Sequence, residues 1–322
     1  MSKITIAGKA LAQIRQCANK AKEITGRNCL LDILYCCFRY RASAKDYIMF
    51  EFYKINSHER NLYETFYRHD VLMKRLQKSM GGGKIADNKE LEYGIYKELI
   101  HRDWILVLPT DDDEKIISFL KNKEFVIAKP TNESLGRGVV KISCHDKKAI
   151  EKLLEDRRGR KYLIEDCIQN HPDFGVLNQS SLNTIRAFTL IDKEGRLKIF
   201  EVLLRVGLPG MHVDNWGAGG VLYHVDIETG MVDRAGIDKT KKRYIYHPGS
   251  NVKMLGFQVP NYDGLLEYVK RLTAVLPKAQ VVGWDIAITP DGFDLVEMNC
   301  PGGHDIMQVF GTPYYKWIMN NI

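Results

Sequence analysis

The chain has 322 residues, 45% of them hydrophobic and 27% charged, with 47 Lys+Arg against 40 Asp+Glu for a net charge of +7. This is the composition of an ordinary globular protein, long enough for a real core in two or three lobes. No apolar run is long enough to cross a bilayer, and no zinc-finger or RNA-binding motif accompanies the charge, so nucleic acid is not an expected partner.

The charge is unevenly placed. Residues 1–84 hold 16 Lys+Arg and 7 Asp+Glu, a net of +9, which leaves −2 for the remainder. The basic front suits an anionic partner such as a uronic-acid glycan or a lipid phosphate, or else a solvated helical surface. The first residues show no signal-peptide pattern. The 7 cysteines follow no zinc spacing, and the adjacent Cys36 and Cys37 read as core thiols. A reducing cytoplasm is the expected compartment.

Residues 1 to about 80 read as helical, with Leu30, Leu31, Ile33, Leu34, Cys37 and Phe38 on one apolar face. The aromatic segment 47–53 reads as core. Ser57 is placed to cap a helix running from His58 to about Ser79. Gly81-Gly82-Gly83-Lys84 lacks the Ser/Thr and the upstream glycine of a phosphate loop, so it reads as a joint. Asn88 then opens a helix through Leu99, and residues 103–108 form a strand. Asp111, Asp112, Asp113 and Glu114 complement the dipole at a helix start.

Residues 125–130, FVIAKP, form a strand that ends on Lys129. A lysine there is costly to bury unless its charge is used. The loop TNESLGRG (131–138) and the strand VVKI follow, and backbone N–H groups in such a loop can close over phosphates with Lys129 as counter-charge. After a helix, residues 161–168, KYLIEDCI, form a strand ending on Glu165 and Asp166. It is open to two readings: a solvated strand end, or a segment offering backbone groups to an adenine edge, with Asp173 near a ribose hydroxyl. Residues 183–207 form an antiparallel pair in which Arg186 and Arg205 interrupt apolar sequence. Each is expected to meet an anion, either a protein carboxylate or a phosphate. A loop (215–220), a strand (220–227) and a helix (263–276) lead to residues 281–303, and a helix closes the chain at 313–320.

Residues 281–303, VVGWDIAITPDGFDLVEMNCPGG, carry the sharpest signal. Two buried strands flank Thr289-Pro290-Asp291-Gly292, which predicts a three-residue loop with a type I turn and a glycine bulge. Pairing Thr289 with Phe293 sets Asp285 opposite Glu297 and Asn299 opposite Gly283, all on one face. Two carboxylates and an amide oxygen converging in apolar sequence ask for a cation, and an oxygen-only donor set suits Mg²⁺ shared with phosphate oxygens.

This order of features resembles the ATP-grasp superfamily over about residues 88–303, most strongly at AKP-TNESLGRG, LIEDCI and GWDIAITPDG-x-x-L-x-E-x-N. NTIR, NWGAGG and the Tyr-rich helical front resemble more narrowly its sugar-transfer-associated members. The resemblance implies an α+β fold, two α+β lobes clasping ATP, behind an N-terminal helical lobe. The implied division is residues 1–84 for the helical lobe, 85–114 for a pre-grasp segment, 115–170 for the small lobe and 171–322 for the large lobe with the metal site. It further implies Lys89 and Lys129 as phosphate-binding lysines, and Ser134 to Gly138, with Gly136, as the flap over the phosphates. Glu165, Asp166, Cys167 and Ile168 would be the adenine hinge. Arg186 and Arg205 would bind phosphate or stabilise an acyl phosphate, and Asp285, Glu297 and Asn299 would hold two Mg²⁺. Many ligases of the superfamily have an arginine two residues before the metal-binding aspartate; here that position is Gly283. The implied activity is an ATP-dependent carboxylate–amine ligase joining an amine or amino acid to a sugar carboxylate in polysaccharide biosynthesis, with a peripheral contact to membrane-linked glycan precursors. A phosphotransferase on a sugar hydroxyl and a non-catalytic ATP-binding component are the alternatives.

Overall fold

A computed structural model describes residues 3–79, 85, 88–132, 138–211 and 214–322; the expected joint at 81–84 and the loop residues Ser134 and Gly136 lie outside the described residues. The front of the chain is helical: α1 (Lys3–Thr25), α2 (Leu30–Arg39), α3 (Ala44–Met49), α4 (Ser57–Arg60) and α5 (Phe66–Ser79). Ser43 and Asp46 form a reciprocal capping box at α3, and Asn56 with Glu59 does the same at α4. Asn56, not Ser57, is therefore the cap. The long helix expected over 58–79 is two helices, because the chain turns at 61–65, where Thr65 Oγ1 donates to the carbonyls of Tyr40 and Arg41. Tyr47, Phe50 and Phe52 are buried in this lobe's core.

Next come α6 (Lys89–Tyr96), β1 (Trp104–Val107), α7 (Asp113–Leu120), β2 (Phe125–Pro130), β3 (Val140–Ser143), α8 (Lys147–Asp156) and β4 (Tyr162–Asp166). The four strands make an antiparallel sheet in the order β1-β4-β2-β3, so this sheet begins ahead of residue 115. Asn88 caps α6 by accepting from the N–H groups of Glu90 and Leu91.

The rest is α9 (Pro172–Gly175), β5 (Thr184–Ile191), β6 (Leu197–Val206), β7 (Val221–His224), β8 (Gly236–Ile237), β9 (Arg243–Tyr244), α10 (Tyr262–Val275), β10 (Val281–Thr289), β11 (Gly292–Asn299), α11 (His304–Met307) and α12 (Tyr315–Asn321). Its strands form one seven-stranded antiparallel sheet in the order β11-β10-β5-β6-β7-β8-β9. Strands β5, β6 and β10 are buried on both faces, which is why they read as near-continuous apolar runs. On one face Trp284, Ile286, Val202 and Leu204 pack with α6 and α10. Burying a side chain as large as Trp284 contributes about 1.5–3 kcal/mol, and its indole N–H donates to Thr189 Oγ1 at 2.9 Å, so no polar group is left bare. On the other face Phe188, Leu203 and Val281 pack with Leu72 and Leu76 of α5 and with Met307 and Ile318 of the last helices. The helical lobe is thus docked on the face that carries Arg186, Arg205 and Asp285.

Candidate active site

The hairpin brings the expected residues together by a different route from the one its turn suggested. Thr289 pairs with Gly292, not Phe293, so the loop holds only Pro290 and Asp291. The extra residue sits instead at Val296, where a β-bulge between the 286↔295 and 285↔297 pairs shifts the register. Below the bulge Asp285 faces Glu297 and Gly283 faces Asn299. A bulge adds one residue to one strand and re-aims the side chains beyond it, so the two displacements cancel and the polar face is as expected. Leu295 and Met298, both in the core at an odd separation, are the sequence trace of that bulge.

Asp285 is buried and clamped. Arg186, its direct cross-strand partner, grips it with two nitrogens, Nη2 to Oδ2 at 2.7 Å and Nε to Oδ1. Arg205 Nη1 reaches Oδ1 at 2.8 Å, and its Nη2 donates to Asp214 Oδ1 at 2.9 Å. Thr184 completes the chain by donating to Asp214. Burial alone would raise the Asp285 carboxyl, but the two guanidiniums outweigh it and hold it at about 2. Arg186 and Arg205 therefore meet a protein carboxylate. Arg186 bonds Asp285 through Nε and Nη2, and no hydrogen bond is made by its Nη1 among the described residues, which leaves the two N–H groups of that nitrogen for an incoming anion.

Glu297 and Asn299 are less enclosed. Asn299 donates weakly to Asp285 Oδ2 at 3.4 Å, which turns its amide oxygen away. Glu297, with its side chain 37% exposed, lies 3.7 Å from Lys89 Nζ at the start of α6. Burial first, then the Glu297 charge, pushes the neighbouring Glu92 carboxyl up to about 8, although its Oε1 accepts the Met298 N–H at 2.6 Å.

On the small sheet Lys129 does use its charge: Nζ is 2.6 Å from Glu165 Oε1 and 2.7 Å from the Tyr93 hydroxyl. Glu165 is buried, not solvated, and also accepts from Arg102 Nε at 2.8 Å and from Tyr93. Burial would raise its carboxyl, but Arg102 and Lys129 hold it at about 2. Arg102 Nη1 continues to Asp294 of the hairpin at 2.7 Å. A buried ionic chain thus runs from the small sheet to the hairpin, with Tyr93 and Arg102 as its links.

Other expected residues lie apart. Asp166 pairs with Lys123 at 2.6 Å. Cys167 and Ile168 follow the end of β4, half-buried. Asp173 sits in the first turn of α9 with its side chain 64% exposed, 3.7 Å from His171. Gly138, at φ +70°, closes the segment whose Ser134 and Gly136 are outside the described residues. Sequence reasoning missed Tyr93, Glu92, Arg102, Asp214 and Asp294. Lys89, Glu92 and Tyr93 share one helix face at i, i+3 and i+4, a readable signal for the first two; Arg102 carried none.

A hard divalent cation fits part of this donor set. Glu297 is a partly exposed carboxylate and Asn299 a half-buried amide with an oxygen to offer, whereas Asp285 has only the lone pairs its two arginines leave. Among the described residues no group of three or more His, Cys, Asp or Glu side chains forms a closed metal cage, so oxygens from a ligand would have to complete a shell here.

A family model described as sugar-transfer-associated ATP-grasp matches residues 93–315. Among solved structures, N5-carboxyaminoimidazole ribonucleotide synthetase in its ADP complex is similar at 12% identity and a TM-score of 0.51, over 78% of this chain and 56% of that one. D-Alanine–D-alanine ligase from Helicobacter pylori is similar at 15% identity and a TM-score of 0.44, over 73% and 60%. The ATP-grasp ligase PsnB, complexed with its minimal precursor, Mg and ADP, is similar at 12% and 0.43, over 74% and 58%. The chain therefore spans less than two thirds of the length of each, and the first likeness shows a shared fold. No curated protein sequence matches the chain.

Proposed function

The chain belongs to the sugar-transfer-associated ATP-grasp family, and from that premise we propose that it is an ATP- and Mg²⁺-dependent carboxylate–amine ligase acting through an acyl phosphate. The observation that carries this reading is the placement of α6. Its Lys89 faces Glu297 on the large sheet, while Tyr93, one turn on, holds Lys129 on the small sheet. Both lysines expected to meet phosphate are thereby tied to one helix, and Lys89 stands beside Glu297, which supports a shared phosphate site.

Lys89 and Lys129 spread the charge of the triphosphate, and the backbone after Glu165 holds the base. The Lys89–Glu297 contact is long and half-exposed, so exchanging it for a phosphate costs little. Mg²⁺, held by Glu297 and Asn299 with Asp285 behind them, would supply charge stabilisation to the transferring phosphoryl group. A substrate carboxylate oxygen attacks the γ-phosphorus, the bond to the β-bridging oxygen breaks, and ADP leaves. Arg186, fixed by Asp285, offers Nη1 to the acyl phosphate; Arg205 keeps that clamp in place. An amine nitrogen then attacks the carbonyl carbon, phosphate departs, and the amine gives up a proton. Positioning and fixed charge do the work, with no covalent nucleophile. The sugar-transfer association makes a sugar carboxylate, such as a hexuronic acid, the proposed acceptor, with an amino acid as amine.

The test incubates the protein with ATP, Mg²⁺, hexuronic acids and amino acids. ADP release that needs both organic substrates, with an amide product by mass, supports the ligase. ADP release with hydroxyl acceptors alone and a phosphoester product would overturn it in favour of phosphotransfer.

A further inference from the structure

The helical lobe carries an apolar face that nothing among the described residues covers. Helix α2 is apolar on both sides. Ile33 and Cys36 are buried in the lobe's core, whereas Leu31, Leu34, Tyr35 and Phe38 face out, Leu31 80% and Phe38 89% exposed. These four fall at i, i+3, i+4 and i+7, a single stripe two turns long. Because its opposite side is buried along the same length, α2 lies flat on the lobe with the stripe outward. The face continues onto α5: Phe38, Tyr67 and Val71 line a recess of about 490 Å³ shared with Arg41, Asp70 and Lys74. Singly exposed apolar side chains are ordinary, but a contiguous run of this kind marks an interaction surface.

The charge around the face selects its partner. Most acids of the front are turned inward or spent on caps: Asp32 on Arg60 and Tyr47, Asp46 and Glu59 in capping boxes, Glu51 on Lys54, Glu64 on His69. By contrast Arg27, Arg39, Arg41, Lys45 and Lys74 are exposed and make no ion pair among the described residues. Arg39 lies on α2 itself, and Arg41 and Lys74 line the recess with Phe38, so exposed cations border the apolar stripe. A second copy pairing through this face would set one basic rim against another. A flat-lying helix with Leu and Phe on its crest and cations at its rim has the form that settles into an anionic bilayer surface.

We propose that the outer face of α2 and α5 docks this protein on an anionic lipid bilayer. Leu31 and Phe38 enter the acyl boundary, and Arg39, Arg41 and Lys74 meet lipid phosphates. No helix among the described residues is long and apolar enough to cross a membrane, so the attachment is peripheral. Helix α5 carries Tyr67 and Val71 on its outer side and Leu72 and Leu76 against the large sheet. Docking would therefore hold the candidate active site's sheet about one helix diameter, roughly 10 Å, behind the face. This docking does not rest on the ligase reading and stands or falls separately from it.

The experiment is co-sedimentation of the full chain with vesicles of phosphatidylcholine alone and with one quarter phosphatidylglycerol. Binding is expected only to the anionic vesicles, falling as salt is raised and by about fivefold for each of Arg39, Arg41 and Lys74 changed to Ser. The double variant Leu31→Ser/Phe38→Ser should weaken partitioning at least about tenfold with an unchanged melting temperature, since both side chains are already in water. Failure to bind either vesicle overturns the proposal. So does undiminished binding by Leu31→Ser/Phe38→Ser, which would mean charge adsorption alone, or a dimer by ultracentrifugation that this variant dissolves. Saturable capture of an acidic protein in place of anionic vesicles overturns it as well.

Discussion

Replacing Asp285 by asparagine separates the two roles this residue could have. In the structure its carboxylate neutralises two buried guanidiniums; Arg205 has Asp214 as a second partner, but Asp285 is the carboxylate that Arg186 pairs with. Removing one side of a buried ion pair costs about 3–5 kcal/mol, because the remaining charge is stranded. At about 2–4 °C per kcal/mol, Asp285→Asn should lower the melting temperature by about 6–20 °C. The pH dependence follows from the same clamp. A carboxyl held at about 2 against an ordinary 3.8 contributes stability that is fully present above 3.8 and is lost as pH falls through 2. The gap between wild type and variant should thus be constant at neutral pH and close only in acid. Glu297→Gln is the control. Its pair with Lys89 is long and half-exposed, worth about 0–1 kcal/mol, so its melting curve should stay within about 4 °C of wild type while ATP-dependent ADP release falls. Paired thermal melts and ADP assays read both. Should Asp285→Asn melt with the wild type at neutral pH, the arginine clamp is not structural and the energetic argument fails.

Glu92→Gln should stabilise the protein in alkali and leave it unchanged in acid. Folding holds its carboxyl at about 8 against 4.5, so the folded state keeps a proton that the unfolded chain has lost, and stability falls as pH rises between those values. The amide removes that slope and keeps an oxygen for the Met298 N–H; equal differences by denaturant titration at pH 4 and 8.5 would contradict it. Gly302→Ala should cost about 1–3 kcal/mol, because an added Cβ would lie 2.3 Å from the buried Phe188 ring. Gly94→Ala in α6, where the methyl meets nothing within 4 Å, should instead gain about 0.5–1 kcal/mol, and melts of the two should move in opposite directions. Lys129→Met should abolish ATP-dependent ADP release and ATP's thermal protection. Chelation should abolish release in the wild type, with recovery on adding Mg²⁺; turnover that survives either treatment argues against the proposed phosphate and cation sites.

Much of the site could be read from local spacing. A strand alternates its faces and a Pro-Asp-Gly turn makes a hairpin, so the shared face of Asp285, Glu297 and Asn299 followed from residues lying within fifteen positions of one another. Even there the turn was misjudged, and an unforeseen bulge at Val296 restored the register. The helical front and the apolar character of β5, β6 and β10 followed from the same short-range periodicities.

What the chain could not disclose by itself was pairing. The sequence determined that Arg186, Arg205 and Lys129 interrupt or end apolar strands and need partners, and left open both what those partners are and whether Glu165 is solvated. Only the tertiary structure decided that Arg186 meets Asp285, 99 positions away, that Arg102 bridges Glu165 and Asp294, 63 and 192 positions away, and that Tyr93 lies between Lys129 and Glu165. The physical reason is range. Periodicity fixes which side of an element a residue faces, whereas the partner of a buried charge is whatever distant segment desolvation and packing bring opposite it. That is set by how the lobes close on α6, and no local pattern records it.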